Sequence, residues 1–330
     1  MQIAILLLIV VGVKVVTHNY NPVSSFGDYE DVAVEIPLPN MEIEGAGLMP
    51  TPAPAPTPAP IAESQPSETY ERVEEFAPEL SSLIDEALAG LDTRPPRIIE
   101  ARDRLNAMLS EPMSAQQSVF VRKLLSKLSQ EWLFGRTVFV DDKLCSNYRV
   151  QQGDQFRMIE KEYKTPYEIL MQINGIGNPK ALRAGETIKA INGPFHCIVY
   201  RSAFRMDLYL QDMFVRSFPV GLGRAGMETP TGRWAVKVGD KLISPTWTDP
   251  ETGKTYESEN PNYPLGLRWI GLRGIEGAAK DRTGFAIHGT KDPQQVGVAG
   301  SRGCIRLLNE DVMLVYNLLM PGLSHVTVVD

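Results

Sequence analysis

Phe285-Ala-Ile-His-Gly-Thr290, followed by Ser301-Arg-Gly-Cys-Ile-Arg-Leu307, decides how the rest of this 330-residue chain reads. Phe285 to Ile287 is a short apolar run that predicts a strand with His288 at its end. Val298 to Leu307 predicts a glycine-bearing turn and then a second apolar run holding Cys304, sixteen positions after His288. A thiol with an imidazole alongside is a standard route to a nucleophile at neutral pH, because the imidazole takes the proton and the sulfur attacks a carbonyl. Spacing alone leaves the blander reading open. A single Cys is commonly a small buried hydrophobe, and a single His commonly structural.

Strand patterns surround this stretch. Phe195-His-Cys-Ile-Val-Tyr200, Met206-Asp-Leu-Tyr-Leu210, Phe214-Val-Arg-Ser-Phe-Pro-Val220 and Arg233-Trp-Ala-Val-Lys-Val238 are β-branched or aromatic runs separated by turn residues. They predict a mostly antiparallel β domain over 194–330. Asn309 is expected to cap a helix that buries Val312, Val315, Tyr316 and Leu319 and stops at Pro321-Gly322. His325 to Val329 reads as a last strand. His196 and His325 sit in strands with no motif around them and read as structural. Gly221-Leu-Gly-Arg-Ala-Gly226 matches a dinucleotide fingerprint in spacing, but that motif must open a helix. Pro230 and Gly232 deny one here.

Upstream, Tyr148 to Asp154 predicts a strand ended by a Gly-Asp turn. Phe156 to Tyr163 and Pro166 to Ile173 read as two short helices, and Leu182 to Ile191 as a returning strand. Residues 68–135 carry apolar residues at three- and four-residue steps in three segments. They predict a small helical bundle, broken at Thr93-Arg-Pro-Pro96 and with Ala115 starting the third helix. Pro50 to Pro60 alternates proline with Ala and Thr. This excludes helix and sheet interiors and predicts an extended spacer. Ile3 to Val13 is an unbroken apolar run closed by Lys14. It is short for a bilayer span and fits either a signal-peptide core or a membrane anchor.

The formal net charge is −7. Residues 1–193 carry 18 basic and 26 acidic side chains, and residues 194–330 carry 15 and 14. No basic excess points to nucleic acid. Cys145, Cys197 and Cys304 have no metal-ligand spacing. Cys145 and Cys197 are expected either to pair as a disulfide or to lie buried separately.

His-Gly-Thr, a gap, then Ser-Arg-Gly-Cys-Ile-Arg resembles the active-site signature of the L,D-transpeptidases, cysteine enzymes that cross-link peptidoglycan. Thr229-Pro-Thr-Gly-Arg-Trp234 and Asn262-Tyr-Pro-Leu-Gly-Leu-Arg-Trp-Ile-Gly271 resemble further family segments. The unit at 146–193, through Tyr148, Val150, Gly153, Asp154, Ile159, Tyr163, Ile169, Asn174, Leu182, Gly185 and Ile188, resembles a LysM glycan-binding domain. It has Gln155-Phe156 where that family usually has Thr-Leu.

Together with the patterns above, these resemblances give a multidomain chain. From the patterns, residues 1–18 would be a signal peptide or membrane anchor, 19–67 an acidic and Pro-rich disordered spacer and 68–135 an α-helical region. A small βααβ LysM domain would follow at 146–193, and a catalytic domain with a short C-terminal helix at 194–330. They imply Cys304 as nucleophile, His288 as general base and the backbone around Gly303 and Cys304 as oxyanion hole. Ser301, Arg302, Arg306 and Gly289 would contact substrate. Gly153, Asp154, Gln155, Phe156, Asn174 and Ile176 would contact glycan. The implied partners are stem peptides and glycan strands, with carbapenems as inhibitors and no metal or organic cofactor. The implied location is the periplasmic side of the cell envelope, with the N-terminal segment in the inner membrane. An L,D-carboxypeptidase and a non-catalytic wall-binding protein are the alternatives.

Overall fold

The computed structural model of the chain describes residues 5–7, 16–18 and 78–330. Residues 19–67, 68–77 and most of 1–18 lie outside the described residues. Within the first eighteen, β1 (Ile5–Leu7) pairs antiparallel with β2 (Val16–His18). The described residues from 78 to 330 belong to one compact unit.

Three helices come first: α1 (Pro78–Leu91), α2 (Ile98–Met108) and α3 (Ala115–Trp132). Their apolar residues recur at helical spacing, so each buries one stripe. Leu80, Ile84 and Ala87 do so on α1, Ala101, Leu105 and Met108 on α2, and Val121, Leu125, Leu128 and Trp132 on α3. Ser114 closes the start of α3. Its hydroxyl accepts from the Gln117 N–H while the Gln117 side chain accepts from the Ser114 N–H.

The next unit is β3 (Cys145–Arg149), α4 (Phe156–Tyr163), α5 (Tyr167–Asn174) and β4 (Thr187–Ile191), with β3 antiparallel to β4. The first strand begins and ends earlier than its sequence pattern predicts. Asp154 turns the chain out of the ladder by accepting from the Tyr148 hydroxyl at 2.7 Å and the Gln151 N–H at 2.6 Å. The returning strand is shorter than predicted, because a turn with Glu186 N–H donating to Arg183 O occupies its front.

Only three residues join β4 to β5 (Phe195–Tyr200). Each is tied down: the Asn192 amide donates to Lys143 O, the Gly193 N–H to Tyr163 O, and Pro194 O accepts from Gln211 N. Then come β6 (Arg205–Leu210), β7 (Met213–Pro219), β8 (Leu222–Gly223), β9 (Gly232–Ile243), β10 (Trp247–Thr248), β11 (Thr255–Tyr256), β12 (Arg268–Glu276), β13 (Phe285–Thr290), β14 (Ala299–Ser301), β15 (Ile305–Leu308), α6 (Asn309–Leu318) and β16 (His325–Val329). Eight of these strands make one sheet in the order β15-β13-β12-β9-β16-β5-β6-β7. It is mostly antiparallel, with β13/β15 and β16/β5 parallel. β8 pairs with β14, and β10 with β11.

Helix α6 packs on the β12, β13 and β15 end of the sheet. Asn309 is its first residue rather than its cap. The Asn309 side chain instead accepts from the Leu267 N–H at 2.9 Å, and Leu308 stands in the N-cap position. The helix ends at Leu318, before the predicted Pro321-Gly322, because Leu319 already turns to extended geometry.

At the opposite edge, α2 and α3 cover β7, which would otherwise present unpaired backbone. Asn106 of α2 accepts from the Phe214 N–H and donates to Asp212 O. Arg122 of α3 reaches Asp207 of β6 at 2.8 Å, and the fully buried Asp207 also accepts from Arg205 and Ser217. The end of α3 is held from the other side. The buried Lys189 of β4 donates to Trp132 O, Gly135 O and Thr137 O at 2.6, 2.8 and 2.9 Å. Cys145 and Cys197 are separately buried free thiols, so no disulfide joins them. Burial pushes the Cys145 thiol up to about 12.

Candidate active site

The parallel pairing of β13 with β15 sets Ile287 opposite Ile305 and His288 opposite Arg306. One residue ahead of β15, Cys304 continues the register that pairs Ile287 with Ile305 and so falls beside Ala286. Alternate residues of a strand share a face. His288, Cys304 and Arg306 therefore belong to one side of the sheet. His288 is not at the end of its strand as predicted; β13 runs on to Thr290, paired with Leu308.

His288 is 4% exposed. Its Nδ1 lies 2.8 Å from the Gly289 carbonyl oxygen. A carbonyl only accepts, so Nδ1 carries the proton and Nε2 keeps its lone pair. Trp269, opposite His288 in the ladder, stacks on the imidazole with centroids 6.0 Å apart and planes at 15°. The Trp269 N–H is fixed in turn on Asp240 at 3.2 Å. Burial holds the His288 pKa down to about 4, aided by the positive charge of Arg306 and opposed by the carbonyls of Gly289 and Leu265. Burial also raises the Cys304 thiol, against the Ala286 N–H and Arg306. Both effects favour a neutral thiol and a neutral imidazole at rest. Among the described residues no hydrogen bond joins the two; the thiol's nearest acceptor is Gly284 O at 4.0 Å.

The loop carrying Cys304 is braced from inside. Ser301 is 1% exposed. Its hydroxyl accepts from the Gly303 N–H at 3.0 Å and donates to Cys304 O at 2.6 Å. Gly303 O accepts from Thr229 Oγ1 at 2.9 Å, and that hydroxyl accepts from the Gly223 N–H. Gly303 has φ +111, and a Cβ there would meet the Phe285 ring at 2.5 Å, so only glycine fits. Ser301 thus braces the loop from inside, and the Gly303 N–H is committed to its hydroxyl.

Arg302 was expected to meet substrate. It lines the cleft, with its guanidinium held by Asp249 and Glu251, each at 2.7 Å. This raises the Arg302 pKa and holds the Asp249 carboxyl down at about 2. Arg306 is half-buried with Nε unpartnered. Gly289 is buried, and a Cβ there would collide with the Asn309 side chain; its carbonyl orients His288. Sequence reasoning gave no role to Trp269 or Thr229, although both lie in segments with a family likeness. Asp249 and Glu251 carry no motif at all.

A cleft of about 630 Å³ opens beside the Cys304 loop, between Met227, Glu228, Pro230, Pro250, Glu251, Arg282, Phe285 and Arg302. Gly221–Gly226 opens no helix; Leu222–Gly223 is a two-residue strand followed by a turn. His196 and His325 stack on each other at 5.4 Å. Among the described residues no group of three or more His, Cys, Asp or Glu is placed to hold a metal ion.

In the β3-α4-α5-β4 unit the expected glycan contacts separate into two kinds. Phe156 and Asn174 are 2% and 6% exposed and belong to the core. Asn174 exchanges hydrogen bonds with Lys189 across to β4 and donates to Leu170 O. Asp154 closes the turn already described. Gly153 and Gln155 are exposed, and Ile176 is half-buried.

Residues 194–328 match the L,D-transpeptidase catalytic domain family (YkuD), and residues 148–190 match the LysM domain. A Bacillus licheniformis protein named as L,D-transpeptidase YkuD is 28% identical over 182 residues, covering 53% of this chain and 94% of that protein. Bacillus subtilis YqjB, also named as an L,D-transpeptidase, is 30% identical over 132 residues, 39% of this chain and 69% of that protein. Among solved structures, the catalytic domain of the E. faecium L,D-transpeptidase shares 21% identity over 41% of this chain and 95% of that one, at a TM-score of 0.31.

Proposed function

Because this chain belongs to the L,D-transpeptidase family, we propose that Cys304 is its nucleophile and His288 its general base. As the sulfur attacks the carbonyl at the L-centre of a tetrapeptide stem, the thiol proton passes to His288 Nε2. The Cys304 N–H donates to the developing oxyanion. Collapse breaks the bond to the terminal D-alanine, whose nitrogen takes the proton from His288. A thioester remains on Cys304. The amine of a neighbouring stem then attacks, gives up its proton to His288 and releases the thiol, leaving a 3→3 cross-link. Both groups start neutral, so proton transfer accompanies attack rather than preceding it.

The observation that carries this reading is the β13/β15 register, which brings Cys304 beside Ala286 and two residues along from an imidazole whose Nδ1 is tied to Gly289 O. Gly303 and Ser301 shape the nucleophile loop. Arg306 stands at the rear of the site as a fixed positive charge.

Intact-protein mass spectrometry tests the assignment. Wild type incubated with a tetrapeptide donor gains the mass of the peptide less D-alanine, and with a carbapenem gains the drug. Cys304→Ala gains neither. An adduct on Cys304→Ala, or none on folded wild type, overturns it. The product mixture separates the acceptors: a peptide dimer marks transfer to an amine, and a free tripeptide marks hydrolysis.

The LysM match supports peptidoglycan binding. We assign its groove to the loops at 153–156 and 174–178, through exposed Gly153 and Gln155 and the edge of Ile176. The division into 1–18, 19–67, 68–135, 146–193 and 194–330 belongs to this proposal. So does export to the envelope by the apolar run at 3–13, with anchoring in the inner membrane. No helix among the described residues is long and apolar enough to cross a membrane.

A further inference from the structure

Four arginines surround the Cys304 loop, and three are already engaged or shielded. Arg302 is held by Asp249 and Glu251. Arg224 lies 3.6 Å from the other oxygen of Glu251. Arg306 is half-buried behind the loop and does not line the cleft. Arg282 differs. It is exposed and lines the cleft, and among the described residues its guanidinium has neither an ion pair nor a hydrogen bond. Its backbone, by contrast, is fixed: the Arg282 N–H donates to Ala279 O, and its carbonyl accepts from Gly274 N. A free guanidinium thus projects from a rigid base.

The base lies close to the chemistry. Two residues on, Gly284 O is 4.0 Å from the sulfur of Cys304. Three residues on, Phe285 is wedged between Trp234, at 4.8 Å, and Gly303. Two extended residues span about 7 Å, so the head of Arg282 reaches groups one or two residues from a carbonyl seated at the thiol. Met227, Pro230, Pro250 and Phe285 give the cleft apolar walls. Its two carboxylates are committed, Glu228 to the Gly226 N–H and Glu251 to Arg302.

We infer that Arg282 is a specificity-determining residue that binds a free carboxylate of the donor peptide in this cleft. The inference rests on the Cys304 reading and adds to it which part of the donor is read. A planar fork of donors suits a carboxylate, and apolar walls strengthen the pairing.

The test uses the full chain and three tetrapeptide donors: fully free, amidated at the C-terminus, and amidated at an internal carboxylate. A charge-assisted hydrogen bond contributes about ten- to a hundredfold in affinity. Arg282→Gln should therefore raise KM for the free peptide about tenfold or more with kcat within about twofold, and Arg282→Lys should recover part of the loss. One of the two amides should be an equally poor substrate for wild type, with no further loss in Arg282→Gln. That amide identifies the carboxylate. If Arg282→Gln leaves KM unchanged, or weakens all three donors equally, the inference fails. Thioester formation at saturating donor separates the failures. Wild type that forms none overturns the Cys304 reading and this inference together. A thioester formed with unchanged KM in Arg282→Gln overturns this inference alone.

Discussion

Helix α3 is gripped twice, by the sheet and by the LysM unit, and the two grips differ in kind. The sheet uses an ion pair, Arg122 to the fully buried Asp207. The LysM unit uses one lysine, Lys189, on the last helix carbonyl, Trp132 O, and on two carbonyls of the loop beyond it, Gly135 O and Thr137 O. In the first, two full charges depend on each other, and removing one strands the other in a dry interior. In the second, the charge meets neutral carbonyls, one of them at a helix terminus that already carries partial negative charge. The sheet's attachment should therefore be brittle and the LysM attachment graded.

The sharpest way to break this comparison is Asp207→Ala. It leaves Arg122 and Arg205 unpaired and should destabilise the unit by about 3–5 kcal/mol in urea melts. Replacing both partners with apolar residues, Arg122→Met with Asp207→Leu, should recover most of that. A double variant as unstable as the single one would contradict the mutual-dependence account.

The next largest effect comes from the site rather than from a grip. His288 has a folded pKa of about 4 against about 6.5 when unfolded. Between those values the unfolded chain binds a proton that the folded chain does not. Stability is therefore full above pH 6.5 and falls by about 3 kcal/mol as pH drops toward 4. His288→Gln should flatten that slope in melts taken across the window.

Lys189→Met strands carbonyls rather than a charge and should cost about 2 kcal/mol. A loss larger than that of Asp207→Ala would reverse the comparison. Smallest is Gln155→Ala, on the exposed LysM loop. It should shift stability by no more than about 0.5 kcal/mol while reducing co-sedimentation with sacculi, which separates groove residues from scaffold.

The strands of the sheet and the β-α-α-β order were legible because period-two and helical patterns survive in those segments. His288 and Cys304 were legible because fixed residues flank both. The destination of Arg302 was not: its partners Asp249 and Glu251 lie 53 and 51 residues away, in a hairpin with no pattern of its own. Arg122 and Lys189 had no signal of their own, since periodicity says which face is apolar but not which long side chain crosses to a neighbour. Phe156 and Asn174 were singled out for sugar by the LysM resemblance, which puts its groove between the loops that they border. In eight-residue helices those ends are also where the core must be closed.

The three-residue junction between β4 and β5, with all its residues hydrogen-bonded, leaves no slack between the glycan-holding unit and the thiol. A molecule so joined would serve as a gauge rather than as a hook on a leash. On the proposed function, once seated on a glycan strand it would address only those stems that fall at one set distance and bearing from the sugar it holds.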